Sequence, residues 1–289
     1  MPIAQANGIE IAYVTNGNPS DPPLLLVMGL GAQLIAWPER FVEELAARGF
    51  FVIRFDNRDC GLSTKFNGMP DIAGLMGGDT SSASYTIEDM ADDAAALLTE
   101  LGIGPAHLMG ASMGGMITQA LAINHPDLFL SACSVMSTTG DRTVGAPTGE
   151  AMAALLRPMA TSRDEAIAAS LTASKVIGSP GYPTDEATLT ERAGAAYDRC
   201  YCPEGTARQL GAIFSSPDRT EGLARVTMPF LVIHGEADPL VTPSGGDATA
   251  AAVPGAQLIT IPGMGHDLPE PLWTTIIDAV VANTELATV

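Results

Sequence analysis

A serine between two glycines is the first candidate for chemistry in this chain. Residues 106–117, AHLMGASMGGMI, place Ser112 between Gly110 and Gly114 in the spacing G-x-S-x-G. The apolar stretch before Gly110 and the helix-forming stretch after Ser112 predict a sharp strand-to-helix turn that exposes the hydroxyl, a nucleophile elbow. Glycines two positions before and after the serine let the strand and the helix pass without a Cβ collision. In a chain with 30 glycines the bare pattern is a weak signal, so its context has to support it.

A serine nucleophile needs a base, and the chain offers only four histidines. His107 begins the strand before the serine and His125 ends the helix after it, so both are expected to pack or to face solvent. His234 closes an apolar strand, a position that favours packing. His266 lies in the sequence PGMGH, in a loop after the last predicted strand, where glycines let an imidazole fold back over the sheet edge. We therefore predict His266 as the general base.

The carboxylate that orients the base is predicted at the end of another strand. The stretch GEADP, residues 235–239, follows an apolar strand and offers Glu236 and Asp238. Asp238 precedes a proline that fixes the turn, so we favour it and keep Glu236 in reserve. Asp267 adjoins His266 along the backbone and cannot orient it easily. In the order Ser112, Asp238, His266 the base follows the acid by 28 positions, which is room for one strand–helix unit.

An oxyanion hole requires two backbone N–H groups directed at the developing negative charge. Met113, the residue after the nucleophile, is expected to supply one of them. Leu30, in the loop that follows the apolar run at residues 23–28, is expected to supply the other.

The elements that must position these residues alternate between strand and helix. This rhythm predicts an α/β fold with a mostly parallel, doubly wound sheet. Between residues 65 and 84 we expect a loop, and from about 137 to 219 amphipathic helical pieces replace the strands. We therefore predict a core of residues 1–138 and 217–289 and a helical cap of residues 139–216. The predicted strands cover 9–14, 23–28, 50–55, 106–110, 128–136, 230–235 and 256–261, and the predicted cap helices 149–156, 163–176 and 185–198.

Composition narrows the possible partners. The formal net charge of −19 disfavours nucleic acid and anionic lipid, so neither is expected as a partner. The N-terminal residues suggest no secretory signal, and no run of apolar residues is long enough to span a membrane. The four cysteines (Cys60, Cys133, Cys200 and Cys202) show no disulfide or zinc spacing. We expect a cytoplasmic protein without a cofactor or metal, and the oligomeric state is open.

Several longer motifs together resemble one known family. The stretches LLLVMG with a following AWP, VIRFDNRDCGLST, GASMGGMITQALAINHPD, MPFLVIHGEADPL and IPGMGHDLP are similar to those of the α/β-hydrolase superfamily. Within it they resemble the actinobacterial esterases similar to aclacinomycin methylesterase. The resemblance covers nearly all of the chain outside residues 139–215. It implies an α/β-hydrolase fold with a helical cap inserted after the sixth strand, and a triad of Ser112, Asp238 and His266. Met28-Gly29 stands where most members have His-Gly.

The expected activity is that of a serine carboxylic ester hydrolase that works through an acyl-enzyme. The expected substrates are small alkyl esters or lactones of apolar compounds. The same triad can also perform carbon–carbon bond hydrolysis, aminopeptidase chemistry or cofactor-free perhydrolysis. A hydrolase-fold ligand receptor with slow turnover is the alternative outside catalysis. Arg58, Asp59 and Ser63 are interpreted as residues that fix a loop, and Trp37, Met28, Met113 and Met264 either line an apolar pocket or pack in the core.

Overall fold

The computed structural model describes residues 1–287, and a single eight-stranded sheet organises them. The sheet order is β1-β2-β4-β3-β5-β6-β7-β8. In chain order the strands are β1 (Ile3–Ala6), β2 (Ile9–Asn16), β3 (Pro23–Val27), β4 (Phe51–Phe55), β5 (Ala106–Ala111), β6 (Phe129–Val135), β7 (Phe230–Gly235) and β8 (Gln257–Ile261).

Six neighbouring strands, from β4 to β8 across the sheet, run parallel. The hairpin of β1 and β2 adds the antiparallel edge, with β2 paired to β4. All six residues of the central strand β5 are buried, as expected for a parallel strand covered on both faces. Because parallel strands end at the same edge, the turns after β3, β5, β7 and β8 lie together.

Helices cover both faces of the sheet. They are α1 (Glu39–Ala47), α2 (Ile72–Met76), α3 (Ile87–Glu100), α4 (Met113–Asn124), α5 (Gly149–Leu155), α6 (Arg163–Ile177), α7 (Glu186–Arg199), α8 (Pro203–Ser215), α9 (Thr220–Leu223), α10 (Ser244–Ala252) and α11 (Trp273–Glu285). Apolar residues of α3 and α4 pack in one core cluster, and those of α1 and α11 pack in a second. The sheet is therefore doubly wound, as predicted.

Five helices, α5 to α9, lie between β6 and β7, and the first four of them, α5 to α8, are called the cap helices below. The prediction of a mostly parallel sheet with a helical insertion after the sixth strand is confirmed. Within residues 1–287, no helix has the length and apolar character needed to cross a bilayer.

Four elements differ from the sequence-based expectations, and one of them is the four-residue helix α9, which was not predicted. The edge strand β1 was not predicted, because its four residues carry too short an alternation to stand out. Residues 65–84 are not only a loop: they contain α2, whose first turn is capped by the Asp71 side chain accepting from Gly74 N–H. Helix α8 was also missed, although Pro203 at its start and Glu204 in its first turn are typical of a helix N-terminus.

Candidate active site

Ser112 occupies a strained turn between β5 and α4. Its φ of 57° and ψ of −119° lie in a region that non-glycine residues rarely adopt. Neighbouring hydrogen bonds hold it there: Ser112 N–H donates to Val135 O at 2.9 Å, and the Ser137 hydroxyl donates to Ser112 O at 2.8 Å. The side chain is only partly buried. Strain kept at an accessible serine is typical of a functional residue.

The two glycines of the motif are sterically required. A Cβ on Gly110 would lie 2.1 Å from Gly114 O, and a Cβ on Gly114 would lie 2.1 Å from Val27 O. Real Cβ atoms essentially never approach a backbone oxygen so closely. The spacing therefore has the physical cause that the sequence suggested, which is the close passage of β5, α4 and the end of β3.

The structure brings Ser112, His266 and Asp238 into one hydrogen-bonded chain. His266 Nε2 lies 2.8 Å from Ser112 Oγ, and His266 Nδ1 lies 2.7 Å from Asp238 Oδ2. Asp238 Oδ1 accepts from the N–H groups of Leu240 and Val241 at 2.9 and 3.0 Å. Asp238 is only 3% exposed, and these bonds fix its carboxylate so that one oxygen faces the imidazole.

Within residues 1–287, none of the other three histidines forms a hydrogen bond to Ser112. His107 Nδ1 lies 2.9 Å from the Ser131 hydroxyl in the interior, and His125 Nε2 lies 2.7 Å from Asp92 Oδ1 at the end of α4. His234 is fully buried beside the site, and its Nε2 lies 3.6 Å from Asp238 Oδ2.

Burial lowers the pKa of His234 and so favours its neutral form. Its Nε2–H must be the donor to Val241 O at 2.8 Å, because a carbonyl only accepts. Among the described residues its Nδ1 has no hydrogen-bond partner. His234 therefore packs against the acid without taking the place of His266.

Neither Glu236, the reserve acid, nor Asp267 forms a hydrogen bond to the imidazole within residues 1–287. Glu236 is exposed, whereas Asp267 accepts a hydrogen bond from the Ser179 hydroxyl. Burial raises the pKa of Asp267. The choice of Asp238 over these two neighbours agrees with the geometry.

The loop after β3 lies against the serine. A Cβ on Gly29 would lie 3.1 Å from Ser112 Cβ and 3.6 Å from Ser112 Oγ. Within residues 1–287, the N–H groups of Leu30 and Met113 donate to no acceptor. Two free backbone donors beside the serine are what an oxyanion hole requires.

Two side chains fix this loop, and sequence reasoning did not single them out. Asn57 donates from Nδ2 to Met28 O at 2.9 Å. Gln209, on cap helix α8, accepts from Gly31 N–H at 2.8 Å and donates to Arg58 O at 2.7 Å. Asn57 stood within a recognisable motif. Gln209 carried no local signal, because its partner lies 178 residues away.

The DNRDCGLST segment after β4 connects the core to the cap through side-chain hydrogen bonds. Asp59 accepts two hydrogen bonds from Arg208 of α8, Nε to Oδ2 at 2.8 Å and Nη2 to Oδ1 at 2.7 Å. Arg58 pairs with Asp93 of α3 at 2.6 and 2.7 Å. The Ser63 hydroxyl donates to Asp56 O at 2.6 Å. These contacts agree with a loop-fixing role.

Trp37 and the methionines near the site are packed rather than lining an open pocket. Met28, Trp37 and Met264 belong to the core cluster under α1 and α11, and Met113 belongs to the other one. None of them is more than 8% exposed. Of the two open readings in the sequence, core packing is the one observed.

Known proteins resemble this chain over most of its length. Residues 22–270 match the family model described as alpha/beta hydrolase fold. The chain is 30% identical to Rhodomycin D methylesterase DauP from Streptomyces sp. (strain C5), over 94% of each protein. It is 28% identical to 3-oxoadipate enol-lactonase 2 from Acinetobacter baylyi, over 83% of this chain and 80% of that protein.

A solved structure supports the same fold. The enol-lactonase from Burkholderia xenovorans LB400 superposes with a TM-score of 0.78 at 24% identity, covering 98% of this chain and 100% of that one. The family model spans most of the chain, and it includes the elbow, the acid and the histidine. The chain therefore belongs to the α/β-hydrolase fold family.

Proposed function

We propose that this protein is a serine carboxylic ester hydrolase that works through an acyl-enzyme. The observation that carries the proposal is the unbroken hydrogen-bonded chain from Ser112 Oγ through His266 to Asp238, beside two free backbone N–H groups. Nucleophile, base and orienting acid are thus in reach of one another, which is the arrangement needed for acyl transfer.

Each residue has a defined role in the proposed mechanism. Ser112 Oγ attacks the ester carbon while His266 Nε2 takes its proton, and the N–H groups of Leu30 and Met113 stabilise the oxyanion. His266 then returns the proton to the leaving alcohol, and an acyl-enzyme remains on Ser112. Water, activated by the same imidazole, releases the acid. Asp238 holds His266 with Nδ1–H toward the carboxylate and stabilises the imidazolium that forms.

The proposed substrates are small alkyl esters or lactones of apolar compounds. Two relatives support this class, since their names describe a methylesterase and an enol-lactonase. Both reactions open an acyl–oxygen bond, for which one serine, one base and one oxyanion hole suffice.

One alternative activity of the same triad requires a further feature. An aminopeptidase needs acids that face the substrate's ammonium group. The acids of the cap that could supply them, Asp164, Glu165, Asp185 and Glu186, are all exposed at the starts of α6 and α7. Glu165 accepts from Thr161 N–H and Asp185 accepts from Thr188 N–H, so these two carboxylates serve their own helix ends, and ester hydrolysis is the simpler assignment.

We also propose that residues 139–216 act as a cap over a core of residues 1–138 and 217–289.

A small molecule is the proposed partner. The strongly negative net charge of the chain disfavours binding to nucleic acid and anionic membranes. All four cysteines are free thiols, which supports the reducing setting of the cytoplasm.

A series of p-nitrophenyl esters from acetate to dodecanoate tests the activity. The native protein should turn over short acyl chains fastest, and Ser112→Ala should lower kcat by about 10⁶-fold, as in other serine triads. Ser131→Ala, which removes a buried hydroxyl from β6, is the matched control and should retain activity. Ester hydrolysis that survives in Ser112→Ala would refute the assignment.

A fluorophosphonate probe separates the remaining alternatives. Stoichiometric labelling of Ser112 without turnover of any ester would indicate that Ser112 is a reactive nucleophile. The protein would then cleave a bond other than an ester, or act as a ligand receptor.

A further inference from the structure

The loop that carries His266 is held by the cap as well as by the core. His266 N–H donates to Ile177 O, the last residue of α6, at 2.7 Å. Gly181 N–H, in the connection from α6 to α7, donates to Gly263 O at 2.9 Å. The backbones nearly touch, because a Cβ on Gly181 would lie 3.0 Å from Gly263 Cα. The main chain of the proposed base therefore depends on residues 177–181 for its position.

Ser179 adds side-chain hydrogen bonds across this contact. Gly265 N–H donates to Ser179 Oγ at 2.8 Å, and the Ser179 hydroxyl donates to Asp267 Oδ1. The Ser179 side chain thus forms hydrogen bonds to both neighbours of His266, Gly265 and Asp267. Ser179 is only 4% exposed, so water does not readily replace either bond.

The chemistry of this link requires a small hydroxyl residue. Because the oxygen already accepts from Gly265, its hydrogen is free to donate, and Asp267 is the acceptor. Burial raises the pKa of Asp267, so a fixed donor helps to keep its carboxylate satisfied. Alanine at 179 would leave both a backbone N–H and a carboxylate oxygen without this partner.

We propose that Ser179 is a positioning residue for the base: through Gly265 and Asp267 it sets the distance from His266 to Ser112. This inference rests on the proposed function of the triad. The imidazole is tethered at Nδ1 by Asp238, but its backbone is placed by the contact with residues 177–181. A misplacement of about 1 Å in such a group can lower the rate about 10²-fold.

Ser179→Ala tests the proposal. We expect kcat for a p-nitrophenyl ester to fall about 10- to 100-fold with KM within about twofold of the native value. The rate at which a fluorophosphonate labels Ser112 should fall in parallel, because that reaction also needs His266 near the serine.

Ser216→Ala is the matched control. Ser216 lies at the end of α8, where its hydroxyl accepts from Ile87 N–H and donates to Ala212 O, both at 2.8 Å. It therefore links the end of a cap helix to the core away from the triad. An equal loss of kcat in Ser216→Ala would overturn the proposal, since loosening of the cap in general would then explain the effect.

Two further measurements keep the result decisive. A rise in KM with unchanged kcat and labelling rate would overturn the proposal and make Ser179 a binding residue.

Asp267→Asn, which keeps the shape of the acceptor but weakens it, should lower kcat less than Ser179→Ala. The double variant should be no slower than Ser179→Ala alone, because both act through one link. If Ser179→Ala does not fold at the assay temperature, Asp267→Asn carries the same test.

Failure of the proposed function is a separate outcome. If the native protein hydrolyses no ester, the ester hydrolase assignment fails. The ratio of labelling rates between Ser179→Ala and the native protein still decides whether Ser179 positions the base. Equal labelling rates would overturn the inference.

Discussion

The core and the cap helices are held in place by different kinds of contact. In core helix α4 every residue from 113 to 122 is buried. In cap helix α6 no residue is buried, and in α7 only Gly194 is. The core is thus stabilised mainly by apolar burial, whereas α6 and α7 bury almost none of their residues completely.

The cap compensates with polar contacts directed at the loops around the site. Arg208 binds Asp59, Gln209 spans Gly31 and Arg58, and Arg199 pairs with Asp56 at 2.7 Å. Such contacts are directional, so they specify where the cap sits more sharply than apolar packing does. The difference suggests that the core provides stability and that the cap fixes the exact placement of the catalytic loops.

Breaking the buried Arg208–Asp59 pair should have the largest effect. Arg208→Met leaves the Asp59 carboxylate, which is 1% exposed, with the Tyr85 hydroxyl and the Phe66 N–H as its remaining donors among residues 1–287. Because an uncompensated buried charge results, the free energy of unfolding should fall by about 3–5 kcal/mol. Urea denaturation measures this change.

The cap supplies a control of the same geometry at its surface. Arg163 binds Asp198 through Nε and Nη2 at 2.8 and 2.9 Å, but both side chains are largely exposed. Arg163→Met should change stability far less than Arg208→Met, because exposed ion pairs contribute little. Equal effects of the two substitutions would contradict the difference drawn between buried and exposed cap contacts.

A methyl group added at the elbow should have the next largest effect. In Gly114→Ala the new Cβ would lie 2.1 Å from Val27 O, so α4 and β3 must move apart. We expect a loss of about 1–3 kcal/mol in the free energy of unfolding, together with a lower kcat because the loop at Leu30 shifts. Urea denaturation and ester hydrolysis check the two effects.

Gly149, at the start of cap helix α5, is the control glycine for Gly114. A Cβ there meets nothing within 4 Å. Gly149→Ala should leave stability within about 0.5 kcal/mol of the native value. The comparison would be wrong if Gly149→Ala were as damaging as Gly114→Ala.

Acidification should destabilise the core by a smaller amount. Burial lowers the pKa of His107 and His234, and no histidine occurs in residues 139–216. Below the unfolded-state pKa of about 6.5, the unfolded chain binds protons that the folded core does not. The free energy of unfolding should therefore fall as the pH decreases, by at most about 1.4 kcal/mol per pH unit for each histidine.

His107→Gln should make that pH dependence shallower. Urea denaturation between pH 5 and pH 8.5 gives the slope, and above pH 7.5 the native protein and the variant should have similar slopes. A slope unchanged by the substitution below pH 6.5 would show that His107 does not contribute to the effect.

Much of the fold and of the site can be derived from local patterns. Apolar runs predicted five of the eight strands, β3 to β7, close to their observed bounds, because a strand buried on both faces needs such a run. The alternation at residues 9–14 predicted β2, and β8 was predicted at 256–261 although most of its residues are exposed. The sequence shows the elbow because Gly110 and Gly114 are both required: a Cβ at either position would collide with a backbone oxygen. Chain order and strand-end positions were enough to choose His266 and Asp238 among the alternatives.

The tertiary structure alone decided how the cap meets the site. Ser179 and Asp267 are 88 residues apart, and Gln209 and Gly31 are 178 apart. The residues next to Ser179 or Gln209 in the sequence do not indicate which distant residue its side chain will bind. Apolar periodicity and the contact of Gly110 with Gly114 involve residues close together in the sequence, so the sequence shows them. A directional hydrogen bond between distant segments exists only once the chain has folded.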